Sequence, residues 1–355
     1  MTTIKNTFLF LVVLIISFIA IELFLSLAEI NSLSSSTNDP VLGSKLISGR
    51  NQIFFNEGFS LGKVNEFGYL GKGYPYEKDT NVFRIALLGD SYVEGCQVFS
   101  RDHFGTIIEK TLKEKLNKKI EVLNFGMSGF CLIDCYCYYN NFVKKFNTDL
   151  VLFFVTDEDI NTLETSNRRP KCSFENDSIK ISYDFINNKV YQFREQTKWI
   201  RGKSILLGYF LGLKEKINLG LAPKILFDKY YTIFQNFSKD EQINISLSNK
   251  VMEPIIKGII LELNKQNIAF VIKNNLSDEY LSFMLQNNST VFNPISEINN
   301  SENKNIEINY WKVTKKYGHW NHSGHQLIGK YLTEGIYNLL MEKHITEPIT
   351  YKKRL

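Results

Sequence analysis

The chain has 355 residues, of which 44% are hydrophobic, and its formal net charge is +5. That length and composition suffice for a sizeable buried core. The charge is mild and no basic cluster is interleaved with aromatic residues, which argues against a nucleic-acid partner. The odd number of cysteines argues against a full disulfide framework, and their spacings match neither a zinc site nor a Cys-x-x-Cys redox motif. We therefore predict no metal or other cofactor and expect most cysteines to be buried thiols; they lie at positions 96, 131, 135, 137 and 172.

Residues 1–30 carry an apolar run over positions 8–28, and about twenty such residues are enough to cross a membrane. Glu22 interrupts the run near its outer end, where a carboxylate reaches the headgroups at modest cost. Lys5 precedes the run and no Lys or Arg follows until Lys45, which predicts an internal N-terminus and an extracytoplasmic body. A cleaved signal peptide ending near Ala28 is the alternative. The length of the run favours an uncleaved membrane anchor.

The rest of the chain has the composition of one α/β domain with flanking segments. Residues 31–50 are predicted to be a linker, 51–345 the domain and 346–355 a tail, with an irregular layer over 51–82. Apolar runs that alternate with helical patterns predict a doubly wound, mostly parallel sheet. The expected strands lie at 83–88, 120–125, 150–155 and 268–272, with a short one near 291.

Residues 160–247 break this alternation and are predicted to be an insertion. The segments 180–185 and 189–193 flank a candidate turn, which predicts a hairpin, and a helix-rich stretch follows over 205–237. We interpret the insertion as a lid or substrate platform over the strand ends. A solvated spacer is the alternative.

The apolar run Phe83–Leu88 ends in Gly89-Asp90-Ser91. In open α/β sheets, ligands bind just beyond the carboxyl ends of the strands, so Ser91 is expected at the mouth of the sheet. A hydroxyl there is a candidate nucleophile if a base reaches it. The alternative is that Asp-Ser only caps a helix, which we expect to begin near Asp102.

Three of the five histidines fall within seven residues, at His319, His322 and His325. Histidine is the usual general base for a serine nucleophile because its pKa lies near neutrality. A spacing of three also suits metal ligands on a helix, but Asn321 and Gly324 indicate a loop that enters a helix. We therefore predict no metal site, and a structural role for His325.

Over residues 65 to 340 these motifs resemble the SGNH (GDSL-type) hydrolases. The resemblance rests on four segments in the family's order: Asn65–Tyr69 before the first strand, Gly89-Asp90-Ser91, Asn124–Gly129, and His319-Trp320-Asn321 with Gly324-His325. It implies a three-layer, flavodoxin-like fold. It also implies Ser91 as nucleophile, His319 as base, and the Ser91 and Gly129 backbone N–H groups as the oxyanion hole.

Two positions depart from the family pattern. Glu158 stands where the family has an oxyanion-donating Asn, and Tyr317 stands where it has the acid that orients the histidine. A carboxylate cannot donate unless it is protonated and would repel an oxyanion. One hypothesis is that Asp157, Glu158 or Asp159 reaches the imidazole and replaces the missing acid.

The resemblance implies a serine esterase or O-acyltransferase that acts on acylated carbohydrate, or another ester, at the cell envelope. The two departures support a different hypothesis, in which a catalytically degenerate domain binds glycan or an envelope partner. The sequence indicates the membrane as a partner through the N-terminal helix and gives no protein partner.

Overall fold

The structure is a computed structural model that describes residues 2–27, 36–163, 168–176, 178–218, 252–303 and 306–346. The chain divides into two compact units. The first unit is Met1–Asp39 with Ile186–Val251, and the second is Pro40–Phe185 with Met252–Leu355.

Strands and helices alternate through most of the described chain. The strands are β1 (Ser36–Asp39), β2 (Gly43–Leu46), β3 (Asn51–Phe54), β4 (Ser60–Lys63), β5 (Val82–Gly89), β6 (Lys119–Gly126), β7 (Leu150–Val155), β8 (Lys171–Glu175), β9 (Ser178–Ser182), β10 (Ile268–Ile272), β11 (Thr290–Phe292), β12 (Tyr310–Trp311) and β13 (Lys316–Tyr317). The α-helices are α1 (Thr2–Leu27), α2 (Ser91–Glu94), α3 (Phe104–Leu116), α4 (Leu132–Asn141), α5 (Asp157–Asn161), α6 (Lys189–Gln196), α7 (Lys198–Lys203), α8 (Ile205–Asn218), α9 (Pro254–Leu263), α10 (Asp278–Gln286), α11 (Ile295–Asn303) and α12 (His322–Thr346).

A five-stranded sheet forms the centre of the second unit, in the order β11-β10-β7-β5-β6. Every neighbouring pair in it is parallel. Alternate residues of β5 face opposite layers. Ile85 and Leu87 pack in the core with residues of α3 and α12, whereas Ala86 and Leu88 pack with residues of α4 and α9. The prediction of a doubly wound parallel α/β fold is confirmed.

The strand order places a topological switch point beside β5. The chain passes from β5 to β6 on one side and then crosses to β7 on the other side. Two crossovers that leave a strand in opposite directions open a crevice at its carboxyl end, and ligands of this fold class bind there. Ser91 follows β5 after one intervening residue and therefore lies at that crevice.

Two local predictions are wrong, and the segment predicted as a linker contains two strands. The layer over 51–82 is not all irregular, because β3 and β4 form an antiparallel hairpin. The described part of the linker contains β1 and β2. The hairpin expected over 180–193 lies earlier in the chain, where β8 pairs with β9 and Asn176 takes φ +50° in the turn. Residues 189–196 are helical instead, and the Asn188 side chain caps that helix by accepting from the Val190 N–H at 2.8 Å.

Within the first unit, α1 is long and apolar enough to cross a membrane over Ile4–Leu27, and no other helix in the described residues meets that test. The Glu22 carboxylate accepts hydrogen bonds from the Ser204 hydroxyl and from the backbone N–H groups of Ile205 and Leu206, at 2.9, 2.5 and 3.1 Å. It therefore caps the first turn of α8. The predicted helix-rich stretch is helical as far as it is described, while 219–251 and the tail from 347 lie outside the described residues.

Candidate active site

Ser91 is the first residue of α2, two positions after the end of β5. Asp90 does cap this helix, since its Oδ1 accepts from the Tyr92 N–H at 3.0 Å. The cap and the candidate nucleophile are therefore compatible, because Asp90 satisfies the helix end and the Ser91 hydroxyl takes no part in the cap. Ser91 lines an open pocket of about 440 Å³ at this end of the sheet.

The structure places the Ser91 Oγ 2.7 Å from Nε2 of His319. His319 lies between the β12–β13 hairpin and α12. Its carbonyl accepts from the Trp311 indole N–H at 3.0 Å, and its ring lies 4.7 Å from the Tyr92 ring, centroid to centroid. The imidazole is therefore held on its backbone side and along one face.

The other ring nitrogen of His319 contacts Glu57. Nδ1 lies 2.8 Å from Oε1 and 3.1 Å from Oε2, and the backbone N–H of His319 donates to Oε2 at 2.9 Å. An ionised carboxylate only accepts hydrogen bonds, so the proton of the neutral imidazole belongs on Nδ1. Nε2 is then left as an acceptor for the Ser91 hydroxyl, which completes a Ser-His-Glu chain.

Glu57 reaches the imidazole from the turn between β3 and β4. The Thr314 hydroxyl fixes its carbonyl with a hydrogen bond of 2.6 Å. Gly318 leaves room for the carboxylate, since a Cβ at that position would overlap the Glu57 side chain. Sequence reasoning missed Glu57 because it is 262 positions from His319 and lies in a segment without periodicity.

The three acids predicted to orient the imidazole have other surroundings. Asp157 accepts from the Ser277 N–H at 2.9 Å, and Asp159 accepts from the Thr156 N–H and hydroxyl, both at 2.8 Å. Glu158 is exposed and lines the pocket. The hypothesis of a replacement acid at the end of β7 is therefore corrected, because Nδ1 of His319 contacts Glu57 instead.

A buried lysine neutralises the carboxylates at the strand ends. Lys273 follows β10, is 3% exposed, and lies 2.6 Å from Asp90 and 2.8 Å from Asp159. Burial by itself would lower the pKa of Lys273, but the two carboxylates outweigh that effect and raise it. Burial also raises the pKa of Asp159 despite the neighbouring ammonium. The lysine is therefore charged and forms ion pairs with both carboxylates.

The loop after β6 carries Gly129, which the family resemblance predicts as the second oxyanion donor. Gly129 adopts φ +73°, a conformation that favours glycine. Its carbonyl accepts from Arg169 at 2.7 Å, and the preceding Ser128 donates its N–H to Glu94 at 2.9 Å. Within the described chain, neither the Ser91 nor the Gly129 N–H donates to an acceptor, so both are available to an oxyanion.

Amide side chains line the same pocket beside Glu158. Asn274 and Asn275 follow β10, are exposed, and line the pocket together with Ser91 and Gly129. Sequence reasoning did not single them out, because nothing local distinguishes these two asparagines from others. They are neutral donors close to the position where the family resemblance expects an amide.

The histidines after β13 do not share one site. His322 is exposed and its Nε2 lies 3.8 Å from Asp102. His325 is 1% exposed, and its Nδ1 accepts from the Phe104 N–H at 3.2 Å. Burial lowers the pKa of His325 well below its usual value, so it is neutral. No group of three or more His, Cys, Asp or Glu side chains within the described residues is arranged to hold a metal ion.

No family model and no curated protein matches the sequence. Among solved structures, the chain is similar to a protein assigned to the G-D-S-L lipolytic family from Desulfitobacterium hafniense, with 11% identity, a TM-score of 0.35 and coverage of 71% of this chain and 98% of the other. It is also similar to the esterase EstA from Pseudoalteromonas sp. (10%, 0.35, 72% and 98%) and to the acetyl xylan esterase AlAXEase (14%, 0.35, 72% and 100%). At these identities and TM-scores we infer nothing about activity from the neighbours.

Proposed function

We propose that the protein is an SGNH-type serine enzyme that acts on ester bonds, with Ser91 as nucleophile, His319 as base and Glu57 as orienting acid. The observation that carries this proposal is the continuous chain from the Ser91 Oγ through both ring nitrogens of His319 to Glu57, with contacts of 2.7 and 2.8 Å. These three hydrogen-bonded side chains lie at the switch point of the sheet, where this fold class binds its ligands.

The proposed reaction proceeds by covalent catalysis. The Ser91 oxygen attacks the ester carbonyl while its proton passes to Nε2 of His319. Glu57 holds the proton on Nδ1 and stabilises the imidazolium that forms. The Ser91 and Gly129 N–H groups donate to the oxyanion. His319 then returns the proton to the departing alkoxide, and water or a sugar hydroxyl releases the acyl group from Ser91.

The proposed oxyanion hole lacks the third donor that the family resemblance predicts. Glu158 occupies the position at which the family resemblance expects an amide. An ionised carboxylate cannot donate a hydrogen bond, so the oxyanion has two backbone donors in the proposed mechanism. The loss of one donor typically costs about 100- to 1000-fold in turnover, and we therefore expect slow hydrolysis.

We propose acylated carbohydrate at the cell envelope as the substrate class. The supports are the open pocket beside Ser91, the predicted membrane anchor and the family resemblance in the sequence. Hydrolysis and acyl transfer share the acyl-enzyme and differ only in the acceptor. The hypothesis of a degenerate binding domain rests on two departures from the family pattern: Glu57 takes the role of the missing acid in the proposal, while Glu158 still stands in place of the oxyanion-donating Asn.

A fluorophosphonate probe tests the nucleophile on the full-length protein in detergent. We expect covalent labelling at Ser91, and no labelling of the Ser91→Ala variant. A folded wild-type protein that resists the probe would contradict the proposal. Release of acetate from an aryl acetate, with and without an oligosaccharide acceptor, then distinguishes hydrolysis from transfer.

We also propose that α1 is retained as an anchor rather than cleaved as a signal peptide. Cleavage near Ala28 would remove Glu22, whose carboxylate caps α8 within the first unit. The intact mass of protein extracted from membranes should include residues 1–27, and externally added protease should reach the body. A mature protein that starts after Ala28 would refute the anchor.

A further inference from the structure

Two cysteines that the proposed mechanism does not use lie against each other. Cys137 is buried on α4, Cys172 is half-buried on β8, and their sulfur atoms are 3.0 Å apart. A disulfide bond is about 2.05 Å long, so closing this one requires a shift of about 1 Å. Both residues belong to the second unit.

The other three cysteines have different surroundings. The Cys131 sulfur lies 3.5 Å from Asp134, and the Cys96 sulfur lies 3.3 Å from Gln52. Cys135 is buried, and burial raises its pKa well above the usual value. All five cysteines are in the described residues, and one pair among them has its sulfurs in contact.

We propose that Cys137 and Cys172 form a disulfide bond when the protein meets a disulfide oxidant. The Cys172 thiolate attacks a small-molecule disulfide such as oxidised glutathione and displaces one glutathione thiolate. The Cys137 thiolate then attacks the Cys172 sulfur and displaces the second. Two protein thiols lose two hydrogens in total, and one oxidised glutathione becomes two reduced ones.

Exposure sets this order of attack. Cys172 is half-buried and accessible to a small oxidant, whereas Cys137 is 2% exposed. A hydrogen bond to Cys172, together with burial, raises the pKa of the Cys137 thiol. Cys137 is therefore a poor first nucleophile but lies in place to resolve the mixed disulfide.

The bond would join α4 to the strand that follows Arg169. Arg169 donates to the Gly129 carbonyl at 2.7 Å and to Asp134 at 2.8 Å, so it links the oxyanion loop to the first turn of α4. A disulfide between Cys137 and Cys172, about one turn further along α4, would add a covalent link between α4 and the segment that contains Arg169 and β8.

The test uses the full-length protein in detergent, first reduced and then incubated with oxidised glutathione. After alkylation and tryptic digestion, we expect the fragment Cys172–Lys180 to be joined to the fragment that contains Cys137, with fragmentation assigning the bond to Cys137. The oxidised protein should melt roughly 5–8 °C above the reduced protein, because the bond closes a loop of more than thirty residues.

Matched variants identify the pair. Cys135→Ser should keep the crosslink and the melting shift, whereas Cys172→Ser should lose both. Separate alkylation of Cys137 and Cys172 in folded wild-type protein would overturn the proposal. A persistent glutathione adduct on Cys172, or a bond from Cys172 to Cys131 or Cys135, would overturn it as well. None of these results depends on catalytic activity.

Discussion

Two sets of carboxylates lie near Ser91, and they have different partners. Asp90, just after β5, and Asp159, on α5, face the buried ammonium of Lys273. Glu57, on the β3–β4 turn, faces the half-buried imidazole of His319. The first set is neutralised by a permanent cation, whereas the second meets a group that changes charge during the proposed reaction.

This difference shows why proximity to the nucleophile does not identify an orienting acid. A carboxylate already paired with a buried lysine has little to gain from an imidazolium, and moving it would leave the lysine uncompensated. Glu57 instead accepts hydrogen bonds from both the ring and the backbone of His319. Substitutions at these carboxylates and their partners separate the two sets.

Glu57→Gln should lower kcat by about 10,000-fold, because an amide no longer fixes the imidazole proton on Nδ1. The measurement is hydrolysis of an aryl acetate, with circular dichroism as the check on folding. Activity within ten-fold of wild type would remove Glu57 from the proposed triad.

Lys273→Met should lower the free energy of unfolding by about 3–5 kcal/mol, because it leaves two carboxylates facing each other without a cation. Lys330→Met, at an exposed position on α12, is the matched control and should change stability by less than about 0.5 kcal/mol. Denaturant unfolding measures both. Equal effects for the two variants would contradict the assigned role of Lys273.

The stability lost in Lys273→Met should also depend on pH. Burial already raises the pKa of Asp159, and loss of the ammonium raises it further. A carboxyl group whose pKa is higher in the folded than in the unfolded protein favours the folded state only when it is protonated. The defect should therefore be largest at neutral pH and shrink as the pH falls toward about 5. Melting temperatures across this range measure the effect, and a defect that grows on acidification would contradict it.

Arg169→Ala should lower kcat by roughly ten- to a hundred-fold with a smaller change in KM, because the Gly129 carbonyl loses its donor and the Gly129 N–H, the proposed oxyanion donor, shifts. Arg169→Lys keeps a positive charge beside Asp134 and should recover part of the loss. If both variants lose the same activity without loss of stability, the planar guanidinium geometry rather than the charge is required. An unchanged kcat in Arg169→Ala would exclude the positioning role.

Glu158→Gln should not lower kcat, because Nδ1 of His319 contacts Glu57 and the variant replaces a carboxylate of the Ser91 pocket with a neutral amide. This variant is the matched control for Glu57→Gln, since both convert a glutamate of the candidate site to its amide. A large loss of activity would restore the end of β7 as the source of the acid.

The sequence by itself determined the sheet and the central candidates of the site. Long apolar runs closed by glycine mark parallel strands, and their carboxyl ends must share one edge, so Ser91 follows from local pattern, whereas Gly129 is implied by the family resemblance. A dense local cluster of histidines marks the segment that supplies the base, and the family resemblance implies His319 within it.

Only the tertiary structure decided which acid, cation and thiol meet. Glu57 and His319 are 262 positions apart, and Cys137 and Cys172 are 35 apart. Periodicity reports which face of an element is buried, but it carries no information about which distant side chains come into contact. Those pairings depend on how the hairpins and helices pack around the sheet. Each pairing is a contact between two elements, so the local sequence of either element does not determine it.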